Sequence, residues 1–267
     1  MTNQTNPAGR LYSILQSAVG GDPNARLLEV WAGVFGLPEP DDIVVTRYLL
    51  ALNETVNEVE RLIQANLSLN HSRYLSGFPS IRTAIRPIYL QSTRHGVITN
   101  SITAEVLTRL EFCDEELRRY FNEESLSQDD LSDITEATAS LFELVASSVQ
   151  DATLRIVLLE GLERVRIAIS LYRIHGAKGF KSSLQHLLGV VFTEQDAIKA
   201  EKVKSADVIA KLGSLLEKLD SFSAKALKIH KALTKPVRFL LSWIDKDEGD
   251  AASADTTVAG EADAIET

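Results

Sequence analysis

Apolar residues recur along this chain at three- and four-residue intervals and almost nowhere in strict alternation, which predicts helices nearly throughout. Asp22-Pro23 offers a cap and a first-turn proline ahead of Leu27, Leu28, Val30, Trp31 and Val34, a short run that stops at Gly36-Leu37-Pro38. Asp41 and Asp42 then supply the negative charge that a helix N-terminus favours. From there Tyr48, Leu49, Leu52, Val56, Val59, Leu62 and Ile63 hold one face for several turns. Gly77, Pro79, Pro87 and Gly96 punctuate an irregular stretch over 70–100, with a short helical piece expected around Ser80–Arg86.

Regularity returns with Ile102, Val106, Leu110, Cys113, Leu117 and Tyr120, which form one buried stripe. Ser127 followed by Asp130 reads as a capping box ahead of Leu131, Ile134, Leu141, Val145 and Val149. A further helix carries Leu154, Val157, Leu158, Leu162, Val165, Ile169 and Tyr172 inward. Four long amphipathic helices with modest connections predict an all-α bundle. Gly176 and Gly179 break the pattern, a helix over roughly Leu184–Phe192 follows, and Thr193 with Asp196 makes a second capping signature. Beyond it Val208, Leu212, Leu215, Leu219, Phe222, Ala226, Ile229 and Leu233 repeat every three and four residues, a heptad seam suited to a partner helix. Pro236 interrupts it before the apolar residues Phe239, Leu240, Leu241, Trp243 and Ile244. The predicted organisation is a flexible lead (1–9), a helical bundle (10–176), a basic helical extension (177–244) and a disordered acidic tail (245–267).

Charge changes this picture more than composition does. The whole chain of 267 residues carries −9, yet all twelve lysines lie at or after Lys178, and fifteen of the sixteen arginines lie before it. Residues 1–177 hold 15 basic and 23 acidic groups, residues 178–238 hold 12 and 6, and residues 239–267 hold 1 and 8. A second asymmetry lies between Glu60 and Glu105, where 44 residues contain no Asp or Glu. That window holds Arg73, Arg82, Arg86 and Arg94 together with His71, His95, Tyr74 and Tyr89. Two explanations fit: the arginines fold against the acidic helices and pair off, or they form an anion site in which guanidinium forks hold phosphate and tyrosines stack on bases.

The candidate chemistry is mostly subtractive. One cysteine, Cys113, permits no internal disulfide and sits in an apolar stripe, where a buried inert thiol is expected. The residues three before the five histidines are Ser68, Ser92, Tyr172, Ser183 and Leu227, so no Glu-x-x-His ligand pair exists, and neither a metal nor another cofactor is expected. Gly176-Ala-Lys178-Gly179-Phe-Lys181-Ser182-Ser183 has phosphate-loop residue types in the wrong order and after a helix; a solvated linker or a loose anion-binding turn are its two readings. The polar N-terminus shows no apolar leader and no run approaches a membrane span, so a cytoplasmic location is expected.

These observations favour a non-enzymatic helical adaptor or assembly subunit that docks through its basic heptad helix on a protein partner or a second copy of itself. A nucleic-acid or nucleotide-phosphate binder using residues 71–95 is the alternative. A third possibility is a peripheral membrane protein held by 208–244, with Phe239 and Trp243 at an anionic surface.

Overall fold

Asn6 starts the first helix. Its side-chain oxygen accepts from the N–H groups of Ala8 and Gly9 at 3.0 and 3.1 Å, and Pro7 occupies a first-turn position that needs no N–H. The computed structural model describes residues 4–121, 123–202 and 205–227. Within it α1 (Pro7–Val19) turns Leu11, Ile14, Leu15 and Ala18 inward. Residues 6–8, expected in a flexible lead, are therefore buried, because they cap and begin a helix.

Asp22 does not cap the next helix. Its carboxylate accepts from the N–H of Asn24 at 2.9 Å, closing a local turn, while the N–H groups of Leu27 and Leu28 donate to the carbonyls of Ser92 and Leu90 at 2.9 and 3.0 Å. Thus α2 (Leu27–Phe35) is capped by a segment more than sixty residues downstream. Asp41 does cap α3 (Asp42–Ala65), accepting from Ile43 and Val44 at 2.8 and 2.9 Å. The punctuated stretch becomes α4 (His71–Leu75), α5 (Phe78–Ala84), a 3₁₀ turn at Pro87–Tyr89 and a π-helical turn at His95–Thr99. Thr103 caps α6 (Ala104–Leu117), whose apolar stripe ends at Leu117; Tyr120, expected to continue it, is exposed. Leu11, Trp31, Leu52, Phe78, Leu110 and Cys113 belong to the single apolar core that these elements share, and the packing of α1 against α6 and α3 runs through it.

The second half closes a ring. The predicted capping box is formed reciprocally: Ser127 Oγ accepts from the N–H of Asp130, and the Asp130 carboxylate accepts from the N–H of Ser127, both at 3.0 Å. It opens α7 (Gln128–Ser148), followed by α8 (Ala152–Ser170), α9 (Tyr172–His175), α10 (Lys178–Thr193), α11 (Gln195–Lys202) and α12 (Ala206–Leu227). α7 packs on α8, α8 on α10, α10 on α12, and α12 back on α7, which is a four-helix bundle. Its members differ from the four expected helices, because α3 and α6 belong to the first core. Thr193 is not a cap: its hydroxyl donates back to the carbonyls of Gly189 and Val190, so α10 runs through it. The switch from arginine to lysine at 177 falls inside this second core, which includes Leu158, Leu162, Phe180 and Leu219.

One buried ion pair joins the two cores. Arg10 of α1 donates from Nε to the carbonyl of Ile174 at 3.0 Å, from Nη2 to that of His175 at 3.3 Å, and from Nη1 to Glu123 Oε2 at 2.6 Å. Burial raises the Glu123 carboxyl above its ordinary value, against the pull of Arg10 and of the Ala177 N–H that it also accepts. Gly176 sits between them at φ +62°, where a Cβ would overlap both Glu123 Oε2 and Arg10 Nη1, so the position requires glycine on two counts. Beside it β1 (Gln4–Thr5) pairs antiparallel with β2 (Glu123–Glu124). Among the described residues, no helix is long and apolar enough to cross a membrane.

Candidate binding surfaces along α3

The acid-free window does not fold into one cluster. Arg73 lies over the Phe112 ring of α6 at 5.7 Å, and its carbonyl accepts from Arg109. Tyr74 is half-buried against the first core, and His71 Nε2 is 3.0 Å from the carbonyl of Asn66. Arg82 turns the other way, onto α3, where it meets Glu60 and donates to Asn53 and Asn57 at 3.2 and 2.9 Å. Arg86 stands over Tyr89 at 5.9 Å. Arg94 is only 5% exposed and donates to the carbonyl of Gly20, while its Nε has no hydrogen-bond partner among the described residues. His95 is exposed beside it. Three separate places therefore receive these residues, and only Arg82 and Arg86 share a groove.

The heptad seam turns inward. Val208, Leu212, Leu215, Leu219 and Ala226 are buried and Phe222 is half-buried, all in the core that α12 shares with α7 and α10. Ile229, Leu233, Phe239 and Trp243 lie outside the described residues. The lysines that repeat with the seam face α7: Lys211 donates to Ser140 Oγ at 2.9 Å, Lys218 lies 3.9 Å from Asp133 and Lys225 3.4 Å from Asp130.

What the sequence reading missed is the outer face of α3. Ile43 and Leu50 are seven residues apart, two turns along one side, and are 71% and 55% exposed; Arg47 is exposed between them. Leu50, Asn53, Arg82, Arg86 and Pro87 line a groove of about 370 Å³, and Ile88, next in the chain after Pro87, is 77% exposed. The exposed Ile43 and Leu50 were legible as a seven-residue pair, but only the fold puts Arg82, Arg86 and Pro87 beside Leu50.

Further along the same helix a larger cleft of about 800 Å³ opens between the two cores. α3 contributes Glu54, Asn57, Glu58 and Arg61; α8 and α9 contribute Arg164, Ile167 and His175; α10 contributes Lys178, Ser182 and Ser183. Lys178 pairs with Glu58 at 2.7 Å, and His175 Nε2 lies 3.4 Å from Glu54 and 3.3 Å from the carbonyl of Ala51. Most of the Gly176–Ser183 segment, expected as a linker or anion turn, is thus the start of α10, whose Lys178, Gly179, Ser182 and Ser183 form one wall of this cleft. Cys113 faces neither surface: burial, with the Asp114 charge adding to it, pushes its thiol up to about 12. The described residues hold no group of three or more His, Cys, Asp or Glu arranged to bind a metal ion. No protein-family model, no curated protein and no solved structure matches this chain.

Proposed function

We propose that the protein is a non-enzymatic helical adaptor, or a subunit of a larger intracellular assembly, and that its partner docks on the outer face of α3 and the adjoining 82–88 segment. The observation that carries this is the exposure of three large aliphatic side chains: Leu50, which lines the groove, Ile43, two turns before it on α3, and Ile88, which follows Pro87 of the lining. Burying each would contribute about 1.5–3 kcal/mol, enough together to anchor an interface. Arg86 lines the groove and is exposed, as is Arg47 between Ile43 and Leu50, and the 44 residues after Glu60 supply no acid to neutralise them. The matching partner is an acidic protein segment with aliphatic or aromatic anchors.

The heptad helix is a weaker docking element than its sequence implies, because its apolar face already serves the chain's own core. The same inward turn leaves the described part of 208–244 little apolar surface for a membrane. A nucleic-acid surface would need its arginines together, whereas Arg94 is buried and Arg82 is engaged by Glu60.

Native mass spectrometry of the protein recovered from its own cells tests the docking face. The parent chain is expected to carry a stoichiometric partner that is lost from the Leu50→Glu/Ile88→Glu double variant with far-UV circular dichroism unchanged. A Lys211→Ala/Lys218→Ala variant is expected to keep it. A partner retained by the first variant, or a parent chain without one, overturns the proposal.

A further inference from the structure

We infer that the cleft between the two cores binds a small molecule consisting of a phosphate group on an apolar body of about nucleotide size. This stands apart from the α3 docking face and does not rest on it. The cleft's volume of about 800 Å³ lies within the range of small-molecule sites, and the junction of two cores is where such sites are commonly built.

Its charges are distributed for an anion. Of its two carboxylates, Glu58 is committed to Lys178 at 2.7 Å, and Glu54 lies 3.4 Å from His175 Nε2. The guanidiniums are not. Among the described residues no carboxylate lies within ion-pair distance of Arg61, whose Nε alone is used, on the carbonyl of Asn57 at 3.3 Å. Arg164 meets only Glu160, one turn back on its own helix at 3.0 Å, with both side chains more than half exposed. Such an exposed pair holds its arginine weakly, by at most about 1 kcal/mol, so phosphate can take the fork over.

The two arginines come from opposite walls, Arg61 from α3 and Arg164 from α8, so one phosphate between them would bridge the cores. Ile167 and Leu171 give the same cleft an apolar side, and the Ser182 hydroxyl is exposed at its α10 wall. A bare anion would use only half of this lining. A phosphate monoester with a flat or aliphatic body would use both halves.

Titration calorimetry of the full-length protein at low salt, with inorganic phosphate, pyrophosphate and adenosine monophosphate as probes, decides the matter. Adenosine monophosphate is expected to bind one site per chain more tightly than inorganic phosphate does, and more weakly as salt rises. Arg61→Ala and Arg164→Ala are each expected to weaken it at least about tenfold, the loss of one charged hydrogen-bonding fork. Both positions are exposed, and an unchanged melting temperature would verify that the variants fold. The Arg47→Ala/Arg86→Ala variant, altered at the other surface, is expected to bind like the parent. No saturable heat with any of the three probes overturns the proposal, as does binding that survives both cleft substitutions. Equal affinity for phosphate and the nucleotide removes the apolar half of it.

Discussion

The polar ties around the first core each occur once, whereas around the second one contact repeats. Around the first, Asn6 both caps α1 and donates to Asp114 Oδ1 at 2.7 Å, Arg82 reaches across to Glu60, and Arg94 ties the α1–α2 turn to the segment seventy-four residues later. Around the second, α12 presents an apolar residue every three or four positions and a lysine every seven, at 211, 218 and 225. Repetition distributes stability over many similar contacts, whereas unique polar ties concentrate it, since a buried polar group without its partner costs far more than one more methylene gains. The arginines of these ties and the lysines of α12 follow the same division. Planar guanidinium forks suit fixed, multidentate ties, and flexible ammonium groups suit a solvated ladder.

The sharpest way to break this contrast is at the buried ion pair that serves both halves. Arg10→Met removes the donor for Glu123 and for the carbonyls of Ile174 and His175, leaving a buried carboxylate without its cation. Unfolding in urea is expected to show a loss of about 3–5 kcal/mol. In a Trp243→Phe background Trp31 is the sole tryptophan and reports on the first core alone. Its fluorescence transition, expected to coincide with the circular-dichroism transition in the parent, should separate from it in the variant. A loss below about 1 kcal/mol with coincident transitions would mean that the two cores are joined by packing and not by this pair.

Next in size is the seam. Leu219 is fully buried, and Leu219→Ala is expected to destabilise the isolated chain by about 2–5 kcal/mol. An effect under about 1 kcal/mol would mean that the position is idle in the monomer and kept for a partner helix, restoring the docking role that its periodicity suggests.

The same contrast governs how much was legible beforehand. The apolar repeat over 208–226, the capping box at Ser127 and the helix start at Asp41 were all readable, because each is a local pattern in which residue type, spacing and structure coincide. α1 was overlooked although Asn6-Pro7 and the Leu11, Ile14, Leu15, Ala18 spacing signal it. Arg94 could not be placed from sequence: an arginine in an acid-free window looks exposed, and only a carbonyl far away in the chain shows otherwise. The cleft was equally hidden, since Lys178 meets Glu58 across 120 residues and nothing local to either announces the other. Unique long-range ties leave no period to read, so the ties around the first core and both candidate surfaces emerged only with the fold.

The smallest effect tests the ladder itself. Lys225 lies 3.4 Å from Asp130, and its replacement by Ala is expected to cost at most about 1 kcal/mol, less at high salt. Its pH dependence is more telling than its size. Slight burial pushes the Asp130 carboxyl up, but hydrogen bonds from Ser127 and then Lys225 outweigh it and hold the group below its ordinary value. A carboxyl lowered in the folded state contributes stability that is present above its unfolded value and is lost as pH falls through the folded one. Lys225→Ala returns part of that lowering while Ser127 keeps the rest. The difference between parent and variant in urea melts should therefore be widest near neutrality and close as Asp130 becomes protonated in both folded chains. A difference that persists in acid would assign the contribution to the packing of the Lys225 methylenes, and the second core would then owe its register to its apolar period alone.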